Sequence, residues 1–285
     1  MIIVHLSGGL GNQMFQYGAA FALAQKRNAK LFLDINDFEK DSRRKFSLDA
    51  FSIRGTIAKQ SDIYKLKRWH TLARRIKNIG IHLRPTLYVE ESLSYDEGFF
   101  QLPDNVYLKG FWQSEKYFLN IPHLVRKEFS FKESPPSANS KVIERMKNIN
   151  SVSVHVRRGD YISNADANEI HGVCDISYYI KAIDCMRQRF SDAEFFIFSD
   201  DLDWVRENLV VPGSIIHYMD HNKGNASEDL RLMTFCKHHI IANSSFSWWG
   251  AWLSNNPDKE VIAPSKWFQS RFVNNDIIPE GWLTL

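Results

Sequence analysis

Val152-Ser153-Val154-His155-Val156-Arg157-Arg158-Gly159-Asp160-Tyr161 is the stretch on which the fold turns. Three valines at alternate positions predict a buried strand, and the strand runs into two arginines and a glycine that permits a turn. Beyond it the pattern alternates: helix 176–189, strand 195–198, helix 202–209, strand 214–218, helix 227–236, strand 239–242, helix 246–253 and strand 261–262. Asp175 stands where it would cap the first of these helices, whose Ile176, Ile180, Ile183 and Met186 recur at helical spacing. Asn225 followed three residues later by Glu228 has the form of a capping box. Strands alternating with helices in this way predict an α/β domain with a doubly wound parallel sheet.

Upstream, residues 2–6 read as a strand that breaks at Ser7-Gly8-Gly9-Leu10-Gly11-Asn12-Gln13, followed by a helix over 14–26 and a strand over 30–34. This is the start of a second parallel α/β layer. Between the two, Lys132-Glu133-Ser134-Pro135-Pro136-Ser137-Ala138-Asn139-Ser140 has two prolines and no apolar periodicity, which predicts an extended, exposed connection. The expected domains are therefore 1–135 and 136–285.

A chain of 285 residues with 44% hydrophobic and 24% charged side chains and a net charge of +3 has the composition of a globular protein. It lacks the strong basic excess of a nucleic-acid coat. Cys174, Cys185 and Cys236 show no metal-ligand spacing and read as free thiols of a reducing compartment. No basic leader precedes a long apolar run, so the expected location is cytoplasmic. Residues 59–84 carry eight basic side chains against one acidic, a local charge of +7 that leaves −4 for the rest. Tyr64, Leu66, Trp69, Leu72, Ala73 and Ile76 recur there at near-helical intervals, as in a basic amphipathic helix. Such a helix either packs on its own domain or touches anionic lipid at the inner membrane.

In open α/β sheets ligands bind beyond the carboxyl ends of the strands, and four of those ends carry chemistry. At the first, Arg157 and Arg158 offer guanidinium forks suited to a diphosphate, with His155 on the same strand and Asp160 just past the turn. At the second, Asp200 and Asp201 are acceptors that match the donor edge of guanine, although either serves equally to cap the helix that follows. Asp201-Leu202-Asp203 has the D-x-D spacing of a divalent-cation site, yet Asp203 falls inside the predicted helix. At the third, Ser244 and Ser245 precede a helix whose first-turn N–H groups form an anion seat or a plain cap. At the fourth, Gly8, Gly9 and Gly11 let backbone approach a ligand, and Asn12 and Gln13 can donate to sugar or phosphate oxygens. Met14 stands where a dinucleotide fingerprint needs its third glycine, so a nicotinamide site is not supported.

Together, SGGLGNQMFQY, LKGFWQSEKYF, HVRRGDY, FSDD and CKHHIIANSSFSWWGAWL resemble the bacterial α-1,2-fucosyltransferases of glycosyltransferase family 11, in the family's order and over nearly the whole chain. HVRRGD also resembles a signature shared with α-1,6-fucosyltransferases and protein O-fucosyltransferases. The resemblance implies a GT-B-like fold of two Rossmann-type domains facing a central cleft, and GDP-β-L-fucose as donor, with no metal. The product would be an α-1,2-fucosylated galactoside of surface glycan or O-antigen, the acceptor lipid-linked or free. It places Arg157 on the β-phosphate with Arg158 in support, His155 near the nucleotide, and Asp200 or Asp201 at guanine. Ser244 and Ser245 would hold phosphate oxygens, and Gly11, Asn12 and Gln13 would reach the donor from the other domain. Asp160 and His155 are the candidate bases, Asp160 having an alternative role in orienting Arg158. The rival readings are a metal-dependent glycosyltransferase using Asp201 and Asp203, and a GDP-sugar or glycan-binding module without turnover.

Overall fold

Val152, Val154 and Val156 are buried, and so are Ser151, Ser153 and His155 on the opposite face. A strand buried on both faces belongs at the centre of a parallel sheet with helices on either side. The computed structural model describes residues 1–40, 44–77, 86–159, 172–269 and 276–285, residues 70–77 by backbone alone. The chain divides into two compact units, Met1–Lys132 with Asn275–Ile277, and Glu133–Asn274 with Ile278–Leu285.

The first unit holds strands β1 (Ile2–His5), β2 (Leu31–Asp34), β3 (Thr56–Ile57), β4 (Leu87–Val89) and β5 (Val106–Lys109), all parallel in the order β3-β2-β1-β5-β4. Its helices are α1 (Leu10–Lys26), the short α2 (Asp37–Lys40), α3 (Gln60–Lys77) and α4 (Pro122–Glu128). Helix α1 begins four residues earlier than the sequence predicts. Extended Gly9 is its N-cap, so Gly11, Asn12 and Gln13 form its first turn rather than a loop. Gly8 takes a φ of +76°, and a Cβ there would meet the Asn12 side chain at 2.8 Å, so this turn requires glycine.

Helix α3 lies where the basic segment was expected, but its buried face differs from the predicted one. Ile63 and Leu66, one turn apart, pack on Ile3 of β1 and Tyr107 of β5, whereas Tyr64 and Trp69 are 65% and 50% exposed. Lys67 lies over the Tyr107 ring and 3.7 Å from Asp34, which fixes the helix on its own sheet. The part of the basic segment beyond residue 77 falls outside the described residues.

The second unit has β6 (Ser151–Val156), β7 (Glu194–Ser199), β8 (Ile215–Tyr218), β9 (His238–Ile240), β10 (Val261–Ala263) and β11 (Leu283–Thr284), all parallel in the order β11-β10-β9-β6-β7-β8. This is the doubly wound dinucleotide-fold order, with its switch point between β6 and β9. Among the described residues its helices are α5 (Ser137–Asn148), α6 (Ile176–Arg189), α7 (Leu202–Asn208), α8 (Ala226–Phe235) and α9 (Ser245–Leu253). Alternation along β7 sends Phe195 and Ile197 into a core with Tyr179, Ile183 and Met186 of α6. Phe196 and Phe198 face Ile143 and Met146 of α5 and Leu232 and Met233 of α8. Each such buried phenylalanine contributes about 2–3 kcal/mol. The connection expected to be extended is helical from Ser137: Pro136 sits at the N-cap, a position that tolerates its missing N–H.

Polar contacts join the two strands flanking the switch point. Ser153 Oγ lies 2.7 Å from His239 Nδ1, both groups fully buried, and burial holds the imidazole well below its usual pKa. Removing the hydroxyl leaves a buried ring nitrogen unsatisfied. We predict that Ser153→Ala lowers the unfolding free energy by about 1–3 kcal/mol, read from urea unfolding at pH 7. An unchanged midpoint would show that this contact contributes nothing.

Candidate functional site

Strands β6 and β7 pair in parallel with Val156 opposite Ser199, so the residues that follow them emerge side by side. Arg157 Nη1 lies 2.9 Å from Asp200 Oδ2, and the Arg158 backbone N–H donates to Asp200 Oδ1 at 2.9 Å. Arg158 Nε donates to Asp201 Oδ2 at 3.2 Å, with its guanidinium 3.4 Å from the centre of the Trp204 ring. Gly159 is needed here: a Cβ would sit 2.5 Å from Asp200 Oδ2.

A cavity of about 550 Å³ opens beside this cluster. His155, Arg157, Ser199, Asp200 and Asp201 line it from the ends of β6 and β7, and Leu202, Asp203 and Arg206 from α7. The turn after β8 and the start of α8 add Met219, Asp220, Lys223, Asn225 and Asp229, and Phe246 adds an aromatic wall. The volume suits a nucleotide-sized ligand.

His155 is 4% exposed, its ring 5.4 Å from Phe246, and its Nδ1 has no hydrogen-bond partner among the described residues. Burial, with the positive charge of Arg157, drives its pKa down to about 3. The imidazole is therefore neutral at pH 7.

Asp200 and Asp201, expected at guanine, are instead engaged by the arginines. Asp201 Oδ1 also accepts from Trp204 N at 3.3 Å, capping α7. That leaves the D-x-D reading without support: Asp201 is committed and Asp203 is exposed on α7. Among the described residues no group of three His, Cys, Asp or Glu side chains is placed to hold a metal ion. Ser244 is the N-cap of α9 without a side-chain cap bond, and it and Ser245 do not line the cavity, although Phe246 of the same turn does. Asp160 lies outside the described residues.

In the first unit, Gln13 is fully buried. Its Nε2 donates to the Gly8 and Lys45 carbonyls at 3.0 and 2.9 Å, and its Oε1 accepts from Ser47 N at 3.0 Å. Here it pins backbone, whereas the resemblance implies a contact with the donor. Asn12 Oδ1 accepts from Gln113 Nε2 at 2.9 Å, joining the turns after β1 and β5 at this unit's own switch point. Gly11 lies in the same helical turn.

In the turn after β8, Asp220 and Lys223 are not among the residues the sequence singles out, and Asn225 is singled out there as a helix cap alone. The rule that drew attention to four strand ends applies equally to the end of the predicted strand 214–218.

The sequence matches Glycosyl transferase family 11 over residues 1–285. It is 36% identical to an alpha-1,2-colitosyltransferase of Escherichia coli, covering 100% of this chain and 99% of the relative. The chain belongs to glycosyl transferase family 11. It is a glycosyltransferase. The O-antigen biosynthesis glycosyltransferase WbnK of E. coli is 33% identical over 98% of this chain and 99% of its own. Galactoside alpha-(1,2)-fucosyltransferase 2 of Hylobates lar is 26% identical over 89% of this chain and 69% of its own. Among solved structures, a variant of Arabidopsis thaliana FUT1 in complex with GDP superposes with a TM-score of 0.52 at 11% identity, covering 99% of this chain and 75% of that one. This likeness supports the GT-B-like α/β fold. Among the described residues no helix is long and apolar enough to cross a membrane.

Because the native His155 proton affinity lies below its unfolded value of 6.5, the unfolded chain takes up a proton first as pH falls. Stability from the neutral ring is present above about pH 6.5 and is lost as pH falls towards 3. We predict that the His155 imidazole resonances do not shift between pH 8 and pH 5; a midpoint within that range would contradict the burial argument.

Proposed function

We propose that the chain moves L-fucose from GDP-β-L-fucose to the 2-hydroxyl of a terminal galactose, as an α-1,2-fucosyltransferase of surface glycan or O-antigen assembly. The observation that carries this reading is Arg157, held at the end of β6 on the wall of a nucleotide-sized cavity. The galactoside α-1,2-fucosyltransferase among the relatives supports the sugar and the linkage.

In this reading the acceptor oxygen attacks the anomeric carbon as the bond to the β-phosphate oxygen breaks, and the electron pair leaves with GDP. The single displacement inverts β to α. Arg157 stabilises the charge developing on the diphosphate, with Ser244, Ser245 and the N-terminus of α9 as a further anion seat. Arg158, stacked on Trp204 and tied to Asp201, is a positioning residue that fixes the turn. Asp160 takes the proton of the incoming hydroxyl. No metal is assigned a role, since the arginines supply the countercharge. Residues 136–285 hold the donor and residues 1–135 the acceptor side, with Gly11 and Asn12 in the first turn of α1.

A second reading, colitose as the transferred sugar, is favoured by the 36% identical colitosyltransferase. Incubation with GDP-fucose or GDP-colitose and a galactoside panel, with NMR assignment of the linkage, separates the two. We predict transfer of fucose to the 2-hydroxyl, undiminished in excess chelator. Arg157→Ala lowers turnover by at least about 100-fold with an unchanged unfolding midpoint. Near-normal turnover of that variant, or loss of activity with chelator, would count against the mechanism.

Peripheral contact with anionic lipid through exposed Tyr64, Lys65, Arg68 and Trp69 of α3 belongs to the same proposal, since it would bring a lipid-linked acceptor within reach. Salt-sensitive co-sedimentation with anionic vesicles is the expected result, and its absence would remove the membrane from the account.

A further inference from the structure

The stretch Leu108-Lys109-Gly110-Phe111-Trp112-Gln113-Ser114 runs off the carboxyl end of β5 and does not line the donor cavity. β4 and β5 pair with Val89 opposite Lys109, so Glu90 emerges beside Gly110. A Cβ at residue 110 would lie 2.4 Å from the Glu90 Cβ, and only glycine lets the two strand ends approach so closely. Glu90 then spends both carboxylate oxygens on the turn. Its Oε2 accepts from Phe111 N at 2.7 Å and its Oε1 from Trp112 N at 2.9 Å.

Trp112 takes a φ of +47°, a region that bulky side chains avoid, and it is fully buried with its ring 5.8 Å from that of Phe99. Such strain persists where the surrounding structure imposes it, and it collects at ligand sites. The consequence falls on the neighbouring residue. With Trp112 turned inward, Phe111 is left 38% exposed on a backbone that Glu90 holds at two successive N–H groups. Single apolar side chains on a surface are ordinary, but this one is fixed at the carboxyl end of a parallel sheet, where open α/β folds take their ligands. Gln113 donates to Asn12, so the turn adjoins the glycine turn after β1 at the switch point of this unit.

We propose that Phe111 is the platform on which the acceptor galactose stacks, with Glu90 as the positioning residue that fixes it. This rests on the galactoside acceptor of the reading above and names a side chain that holds it. The axial 4-hydroxyl of galactose leaves C3–H, C4–H and C5–H together on one ring face, an apolar patch that the electron-rich face of a phenyl ring attracts. In glucose the C4–H points to the opposite face and the patch is broken. The 2-hydroxyl projects from the ring edge, so a galactose lying on Phe111 keeps that oxygen free to attack.

The test is steady-state kinetics of the full chain, with the acceptor and the sugar nucleotide each varied, on the galactoside that wild type uses fastest. Phe111→Ala raises the acceptor KM by about 3–10-fold, the effect of one aromatic stacking contact, and leaves the sugar-nucleotide KM and the unfolding midpoint unchanged. Phe111→Tyr, which keeps the ring, retains the wild-type acceptor KM. Glu90→Gln, left with one acceptor oxygen for two N–H groups, raises the acceptor KM by a smaller factor and spares the sugar nucleotide. If wild type glycosylates a galactoside and Phe111→Ala keeps its acceptor KM, or raises both KM values alike, the platform is overturned and the galactoside reading stands. If wild type transfers sugar to no galactoside, that reading fails and the platform goes with it.

Discussion

The parallel pairing of β6 with β7 is the constraint on which the site depends. With Val156 opposite Ser199, the two strands end level, and Arg157-Arg158 must emerge beside Asp200-Asp201. Two adjacent guanidiniums alone would repel one another, and the two carboxylates likewise. Interleaved, they hold each other in place: Asp200 bridges the Arg157 side chain and the Arg158 backbone, while Asp201 holds the Arg158 side chain and caps α7. Every member of the cluster is partly exposed, so screening by water keeps its contribution to stability small. Its value is geometric. The arginine that lines the cavity is positioned before any ligand arrives, and the reorganisation needed during catalysis is correspondingly less.

The wider fold prepares the same place. β6 is central in its sheet and stands at the switch point, where consecutive connections depart in opposite directions and leave room beyond the strand ends. Burial on both faces fixes this strand more firmly than an edge strand can be fixed. It also forces His155 into a dry environment, where a neutral ring is cheaper than a charged one. The same burial that makes the strand a rigid mount therefore also lowers the proton affinity of the histidine.

Much of the second unit was legible in the sequence because its signals are local. Helix α6 matches the apolar spacing of residues 176–189, and Asp175 and Asn225 make side-chain caps, although Glu228 bonds Asn139 and Arg231 while the Asn225 N–H donates to the Asn222 carbonyl, so the expected capping box is half formed. What escaped depends on distant partners. β11 is two residues long and exists through its pairing with β10, and β3 and β4 likewise take their identity from neighbours in the sheet. The glycines at 9 and 11 looked like a loop because propensity alone penalises glycine in helices. In the fold the nearly all-round burial of α1 outweighs that penalty and starts the helix at Leu10. Residue types at the site were readable, but their partners were not: Asp200 and Asp201 are acceptors in any sequence reading, and only the register of β6 on β7 reveals that arginines claim them. Gln13 likewise reads as a ligand contact until its three backbone partners are seen.

On the proposed reading, a guanidinium fixed at the end of β6 receives the diphosphate of a sugar nucleotide. A crystal structure of the full chain with GDP tests it most directly. We expect the β-phosphate against Arg157 and the N-terminus of α9, with the nucleotide lying over the ends of β6, β7 and β8. A diphosphate bound away from Arg157, with that side chain still paired with Asp200, would be the opposite result.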